Sequence, residues 1–401
     1  MMEQIKNIAI VGGCGHVGLP LGIVLADAGF KVTLIDVNQH ANDLVNHGEL
    51  PFLEHDQAHE VLKKVLSAGK LVATSDVEQI SNAQAVFFVT GTPVDEHLNP
   101  RVHDVTSVMQ QYLPYLNGEQ LIILRSTVYP GVVEIVDHLL EKSLGKHKLA
   151  FCPERIAQGH GMSEIKKLPQ IISATSVEAE EEAANLFSQL APKIIKLKPL
   201  EAEIAKLITN SWRYLEFAIA NQFYMMIESQ GLDFFKIYDA LREDYPRAEH
   251  FTSPGFAAGP CLFKDTMQLS AFHESNFFLG HSAMLVNEGL PGFLANQMEK
   301  KLGSLKGKKI AILGMTFKAN NDDIRESLSY KLKKILEIKL ATVLPTDIYD
   351  KTLPDFNEVI KLADGIILGV PHQEYLNLKI HKPFVDCWGV WRERKIRGKQ
   401  K

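Results

Sequence analysis

The 401-residue sequence predicts an α/β fold in three parts: a doubly wound domain over 1–198, a helical region opened by one long helix over 199–303, and a smaller α/β domain over 304–401. Three observations carry this. A β-branched run leads through a glycine-rich turn into an Ala/Leu-rich helical pattern near the N-terminus, a long helical periodicity occupies 200–229, and a second strand–turn–helix pattern begins at Lys309. A chain of this length exceeds what one hydrophobic core ordinarily holds, so two or three domains are expected.

The bulk numbers describe an ordinary globular protein, with 46% hydrophobic and 23% charged residues. Forty-three Lys and Arg against 48 Asp and Glu leave a net charge of −5, which argues against general affinity for nucleic acid or an anionic membrane. The N-terminus runs straight into a strand pattern and no apolar run reaches bilayer length, so neither a signal peptide nor a membrane helix is expected. Cys14, Cys152, Cys261 and Cys387 lie far apart without metal-ligand spacing. That suits a reducing, cytoplasmic compartment, with no disulfide framework and no bound metal.

Ile5 to Val11 reads as a strand entering Gly12-Gly13-Cys14-Gly15-His16-Val17-Gly18, followed by a helix to Gly29 and a second strand, Lys31 to Ile35, ending at Asp36. This is the Rossmann dinucleotide fingerprint. Gly13 is expected to make the turn, Gly15 to let the backbone approach a pyrophosphate, and Gly18 to let helix and strand pack closely. The helix N-terminus, with His16 and Val17 leading into it, receives the phosphate charge. Asp36 sits where an acid binds the adenine ribose hydroxyls and repels a 2′-phosphate, which points to NAD over NADP as the cofactor.

Ala85 to Thr90 and Gln120 to Leu124 fit further parallel strands, ending in Gly91-Thr92-Pro93 and in Ser126-Thr127-Val128-Tyr129-Pro130-Gly131. Ligands sit beyond the carboxyl ends of such strands, so Thr92 and Thr127 are candidate contacts. Equally, Ser126 and Thr127 would serve to cap a helix starting near Gly131. The strand Lys148 to Phe151 delivers Cys152-Pro153-Glu154-Arg155 to the same edge. Glu154 is placed there for acid/base chemistry, the alternative being a surface pair with Arg155.

In the long helical run from Leu200 to Ser229, Lys206 and Asn210 stand four apart and share a face amid apolar neighbours. They either serve a site or form an exposed lysine with an incidental asparagine. Beyond it, Pro254 to Pro260 is a small, rigid turn leading to Cys261, with Lys264 and Asp265 following. A helix beginning near Pro260 would put Cys261 in its first turn, where unpaired N–H groups favour a thiolate, with Asp265 on the same face. The alternative is a small buried hydrophobe. After Lys306-Gly307-Lys308, the second α/β pattern lacks a full glycine fingerprint, and Lys318 and Arg325 are candidates to hold a diphosphate. The basic tail from Arg392 to Lys401 is expected to fray.

The fingerprint, STVYPG at 126–131, CPER at 152–155, the Lys206/Asn210 helix, PGFAAGPCLFKD at 254–265 and FKANNDDIRES at 317–327 together resemble the UDP-sugar 6-dehydrogenases, in order over nearly the whole chain. The resemblance implies an N-terminal NAD-binding Rossmann domain, a long dimerising helix, a C-terminal UDP-binding domain, and oxidation of a UDP-hexose or UDP-N-acetylhexosamine at C6 with two NAD per turnover. It implies Cys261 as the nucleophile that holds C6 as a thiohemiacetal and then a thioester. Lys206 and Asn210 resemble the pair that stabilises the C6 oxyanion, Asp265 and Thr127 the residues that position water, and Glu154 the acid/base group of thioester hydrolysis. Substrate contacts carried over in the same way are Arg155, Gly259, Lys264, Lys318 and Arg325, with Arg247 resembling an arginine given across a homodimer interface.

Two departures stand out. Ala258-Gly259 replaces the usual Gly-Gly, and Pro260 replaces a small residue or histidine. CPER and YPG resemble the N-acetylhexosamine branch, mannosamine among them, whereas LFKDTMQL resembles the UDP-glucose branch. A two-electron hydroxyacid-type dehydrogenase and a non-catalytic NAD-binding homologue remain alternatives at this point.

Overall fold

In a computed structural model the chain is described at residues 5–91, 94–95 and 100–392. Thr92 and the tail beyond Arg392 lie outside the described residues. The chain divides into two compact units, one of Met1–Thr209 with Met267–Ser275, the other of Asn210–Thr266 with Asn276–Lys401.

The first unit is built on eight strands: β1 (Asn7–Val11), β2 (Lys31–Ile35), β3 (Leu71–Thr74), β4 (Ala85–Phe88), β5 (Leu121–Leu124), β6 (Lys148–Phe151), β7 (Gln170–Ala174) and β8 (Ile194–Lys196). They run in the order β3-β2-β1-β4-β5-β6-β7-β8. Every pairing is parallel except β6 with β7. The central strands are short apolar runs because both faces are covered: AVFF and LIIL of β4 and β5 are buried at every position. Ile8, Ile10, Leu34 and Phe87 join the core on one face, and Ala9, Val86, Ile122 and Leu149 the core on the other. The order reverses between β1 and β4, which opens a crevice at their carboxyl ends. Strands β3, β7 and β8 go beyond what the sequence pattern predicts. β8 has only three residues, none of them fully buried, so it carries little hydrophobic signal.

The second unit holds a four-stranded parallel sheet of β9 (Lys309–Leu313), β10 (Thr342–Thr346), β11 (Gly365–Leu368) and β12 (Phe384–Val385), ordered β10-β9-β11-β12. The helices Phe278–Leu302 and Leu328–Ile338 bury Leu294, Met298, Leu332 and Leu336 with Ile310 and Ile312 of β9. Arg392 does not fray: its guanidinium donates to both carboxylate oxygens of Asp239 and to the carbonyl of Phe235, and lies over the Phe235 ring.

One helix of 31 residues, Pro199–Ser229, starts in the first unit and continues into the second. Along its second-unit part Trp212, Ile219, Phe223 and Met226 are exposed. Their spacing of 7, 4 and 3 residues keeps them in one stripe.

Candidate active site

In the first unit the glycine turn departs from expectation in one respect. The left-handed residue is Gly12, at φ +76°, while Gly13 is held by close packing, since a Cβ there would come within 2.7 Å of the Leu34 side chain. A Cβ on Gly18 would meet the Gly12 carbonyl at 2.5 Å, so helix Gly18–Asp27 can approach the turn only because this residue is glycine. Gly15 is exposed, and its added Cβ would meet nothing nearer than 3.7 Å, leaving the open approach that a pyrophosphate needs. Val17, the N-cap residue of this helix, makes no side-chain cap, so the terminus is open to an anion, and the His16 ring packs 4.0 Å from that of Phe52. Asp36 follows β2 and accepts from the N–H groups of Cys14 and Asn38, at 3.0 Å each. These residues fit a dinucleotide. The Cys14 thiol is buried, donates to Asn42 Oδ1, and is pushed up to about 12 by burial and by Asp36, so it is chemically quiet.

At the ends of β4 and β5, Thr90 and Ser126 line a pocket with Phe88, Leu124 and Val128, and Thr127 is half-buried beside it. Neither Ser126 nor Thr127 caps the next helix, Val132–Leu144. Its N-cap is Gly131, at φ +97° and without a side-chain cap bond. Glu203 takes that role from a distance, its carboxylate accepting from Gly131 N at 2.7 Å and Val133 N at 2.8 Å.

Beyond β6, Glu154 and Arg155 are not a surface pair. The Glu154 carboxylate accepts from the N–H of Ile156, and the Arg155 guanidinium donates to the Pro169 carbonyl. Burial pushes the Glu154 carboxyl up, against the opposing pull of the Lys206 and Arg125 charges. Arg125 is a neighbour of Glu154 that sequence reasoning missed. It is buried, donates from Nη1 to Cys152 O at 3.1 Å and Gln170 Oε1 at 3.0 Å, and its carbonyl accepts from Glu154 N. Lys206 is itself buried, which removes the exposed-lysine alternative.

In the second unit the helix Leu262–Phe272 begins one residue after Cys261, not before it. Cys261 precedes the helix, its carbonyl accepting from Asp265 N at 2.9 Å. The two side chains then part. Cys261 is the exposed cysteine of the four, while Asp265 is fully buried. Asn210 Nδ2 donates to Asp265 Oδ2 at 2.6 Å, and Lys264 Nζ lies 3.2 Å from Oδ1.

The turn before Cys261 is fixed on two sides. The buried Asn221 both donates to Gly255 O, at 2.9 Å, and accepts from Gly255 N, at 2.8 Å, and its amide also donates to Asn287. A polar Asn221-Gln222 pair following the apolar stretch 217–220 is the one signal that could have disclosed it. On the other side Gly259, at φ +98°, donates to Glu326 O at 3.2 Å and abuts the Phe317 ring. Arg325 is held by a bidentate pair with Asp323, which pushes its pKa up; Lys318 is half-buried in the same loop. Arg247 stands exposed over the Tyr245 ring.

Three successive stretches match the models of one family: residues 6–191 its NAD binding domain, 200–288 its central domain and 311–393 its UDP binding domain. The chain belongs to the UDP-glucose/GDP-mannose dehydrogenase family. As a member of it, this is an NAD-dependent nucleotide-sugar dehydrogenase whose C-terminal domain is of the UDP-binding kind. The UDP-N-acetyl-D-mannosamine dehydrogenase of Pyrococcus horikoshii is 28% identical over 92% of this chain and 90% of its own. The NDP-N-acetyl-D-galactosaminuronic acid dehydrogenase of Ralstonia nicotianae is 26% identical over 98% and 97%. Among solved structures, UDP-D-ManNAc dehydrogenase from P. horikoshii superposes with a TM-score of 0.90 at 26% identity, covering 98% of this chain and 97% of that one. A UDP-glucose dehydrogenase from Pyrobaculum islandicum gives 0.89 at 24%, with the same coverage, a likeness of fold. Among the described residues no helix is long and apolar enough to cross a membrane, and no cluster of three metal-ligating side chains occurs.

Proposed function

We propose that this dehydrogenase oxidises the C6 alcohol of a UDP-N-acetylhexosamine, UDP-N-acetylmannosamine first among them, to the uronic acid in two steps through Cys261, for a cell-surface polysaccharide. The observation that carries the reading is an exposed cysteine immediately before a helix N-terminus, one turn from a buried Asp265–Asn210 pair.

The Gly13–Gly18 turn and Asp36 would hold NAD, which when bound would supply the hydride acceptor that each oxidation needs. An aldehyde carbon has no hydride to give until a nucleophile makes it tetrahedral. Cys261 Sγ adds to the C6 aldehyde, the carbonyl π pair moving to oxygen, where Lys206 and Asn210 stabilise the charge. After the second oxidation C6 is a thioester. Water, positioned by Asp265 and Thr127 and deprotonated through Glu154, adds to it, and the C–S bond breaks to return the thiolate and leave a carboxylate. Lys318 and Arg325 hold the diphosphate, with Arg155, Gly259 and Lys264 as further substrate contacts. Arg247 is the residue contributed to a partner copy.

The functional parts of this reading are 1–198 for NAD, 199–303 for the nucleophile and dimerisation, and 304–401 for UDP. The exposed stripe on helix Pro199–Ser229 supports a homodimer, and the three buried cysteines support a cytoplasmic protein. UDP-glucose is the second reading, favoured by the Lys264–Asp265 pair within LFKDTMQL. Comparing kcat/KM for UDP-glucose, UDP-N-acetylglucosamine and UDP-N-acetylmannosamine decides between the sugars. Two NADH formed per sugar consumed are expected; one would identify a two-electron dehydrogenase and overturn the covalent route.

A further inference from the structure

At the root of the second unit lies a histidine–carboxylate pair that none of these steps uses. His372 and Asp347 are wholly buried side chains, Nε2 and Oδ2 being 3.0 Å apart. Their surroundings decide where the ring proton sits. The backbone N–H of Asn320 donates to His372 Nδ1 at 3.0 Å, and a nitrogen that accepts carries no proton. Hydrogen is therefore on Nε2, directed at Asp347, with Thr316 Oγ1 also at 3.2 Å. Asp347 gathers three backbone N–H groups as well: Met315 at 2.6 Å, Thr316 at 3.1 Å and Tyr349 at 2.8 Å. The segment Met315 to Asn320 thus hangs from the pair at both ends. It closes with Asn320 in the left-handed region, at φ +54°, where its N–H donates to His372 and its Oδ1 accepts from Gln373 N at 3.0 Å.

This segment carries Lys318, and its Phe317 ring is the surface against which Gly259 packs, two residues before Cys261. We propose that His372 and Asp347 are positioning residues that hold the Met315–Asn320 turn in its nucleotide-receiving shape and, through Phe317 and Gly259, set the loop that presents Cys261. The first half rests on the reading of Lys318 and Arg325 as diphosphate contacts. The second half does not.

The test uses the full-length protein, UDP alone as the probe, and three variants. His372→Asn keeps an acceptor near the Nδ1 position, His372→Gln keeps a donor near Nε2 but loses that acceptor, and His372→Phe keeps volume alone. The expected result is that Gln and Phe weaken UDP binding about tenfold, the scale of one hydrogen bond, while Asn stays within about threefold of the parent. NAD affinity should be unchanged in all three. The rate of Cys261 alkylation by iodoacetamide, readable because the other three cysteines are buried, should change in the same order. Parent-like UDP binding and alkylation in both Gln and Phe overturns the proposal, as does a parallel loss of NAD affinity, which would mark general unfolding. Should Phe fail to fold, Asn and Gln, which differ by one methylene, decide alone. If Lys318→Ala and Arg325→Ala leave UDP affinity intact, the diphosphate reading falls, and alkylation of the His372 variants still tests the positioning role.

Discussion

Asn210 and Asp265 meet at 2.6 Å, amide nitrogen to carboxylate oxygen, with both side chains enclosed by protein. Fifty-five residues of chain separate them, yet the contact ties the long helix to the helix Leu262–Phe272 that follows Cys261. Asp265→Ala leaves a buried amide without its acceptor and Lys264 without its counter-charge. It should cost about 2–3 kcal/mol in urea unfolding. Turnover should fall by more than the stability loss explains, measured at a temperature where the variant is fully folded.

Cys261→Ser is expected to lower uronate formation on the order of a thousandfold or more, with the NAD dissociation constant unchanged. Mass spectrometry of the parent enzyme, quenched during turnover, should show a sugar adduct on the peptide bearing Cys261. Retained turnover in the variant would remove the covalent route.

Glu154 gives a pH-dependent prediction. Burial raises its folded-state pKa above the unfolded value, so its contribution to stability is fully present below the ordinary glutamate pKa of about 4.3 and is lost as pH rises through the raised value. Glu154→Gln should therefore raise the Tm at neutral pH and have little effect in acid. The same variant should slow thioester hydrolysis, so that a burst of NADH precedes a slow steady state. A variant with lower Tm at neutral pH and no burst contradicts both halves.

Asp36, proposed to bind the ribose hydroxyls, also supports the turn by accepting from the N–H of Cys14. Asp36→Ser is expected to raise KM for NAD about tenfold and to narrow the preference over NADP, as initial rates with each cofactor would show.

The exposed stripe predicts assembly. Phe223→Glu, at a position 45% exposed, should shift the protein toward monomer in sedimentation velocity if this face joins two copies. An unchanged sedimentation coefficient would assign the stripe to something else.

The fold and the candidate site residues were legible where their elements are local: Gly13, Gly15, Gly18 and Asp36 fall within one strand–turn–helix–strand unit, and Cys261, Lys264 and Asp265 within one turn of chain. The misses are long-range. Glu203 caps a helix 70 residues away, Asn221 grips a glycine 34 residues on, and His372 reaches back 52 residues to Asn320. No periodicity encodes such pairs, since each needs the folded backbone to bring the partners together. Arg125 was hidden differently, because an arginine at a strand end reads as exposed until the strands around it are placed. Gly12 took the left-handed turn expected of Gly13 because the bend comes immediately after β1, where the chain passes the Val89 carbonyl.

The Glu203 cap has a consequence for where anions dock. Two helices in the first unit start from glycine-bearing turns after parallel strands, Gly18–Asp27 and Val132–Leu144, and each offers a partial positive charge. A built-in carboxylate caps the second, whereas among the described residues the N-cap of the first makes no side-chain cap bond. The protein's own acid thus closes one of these two termini to an incoming anion and leaves the other accessible.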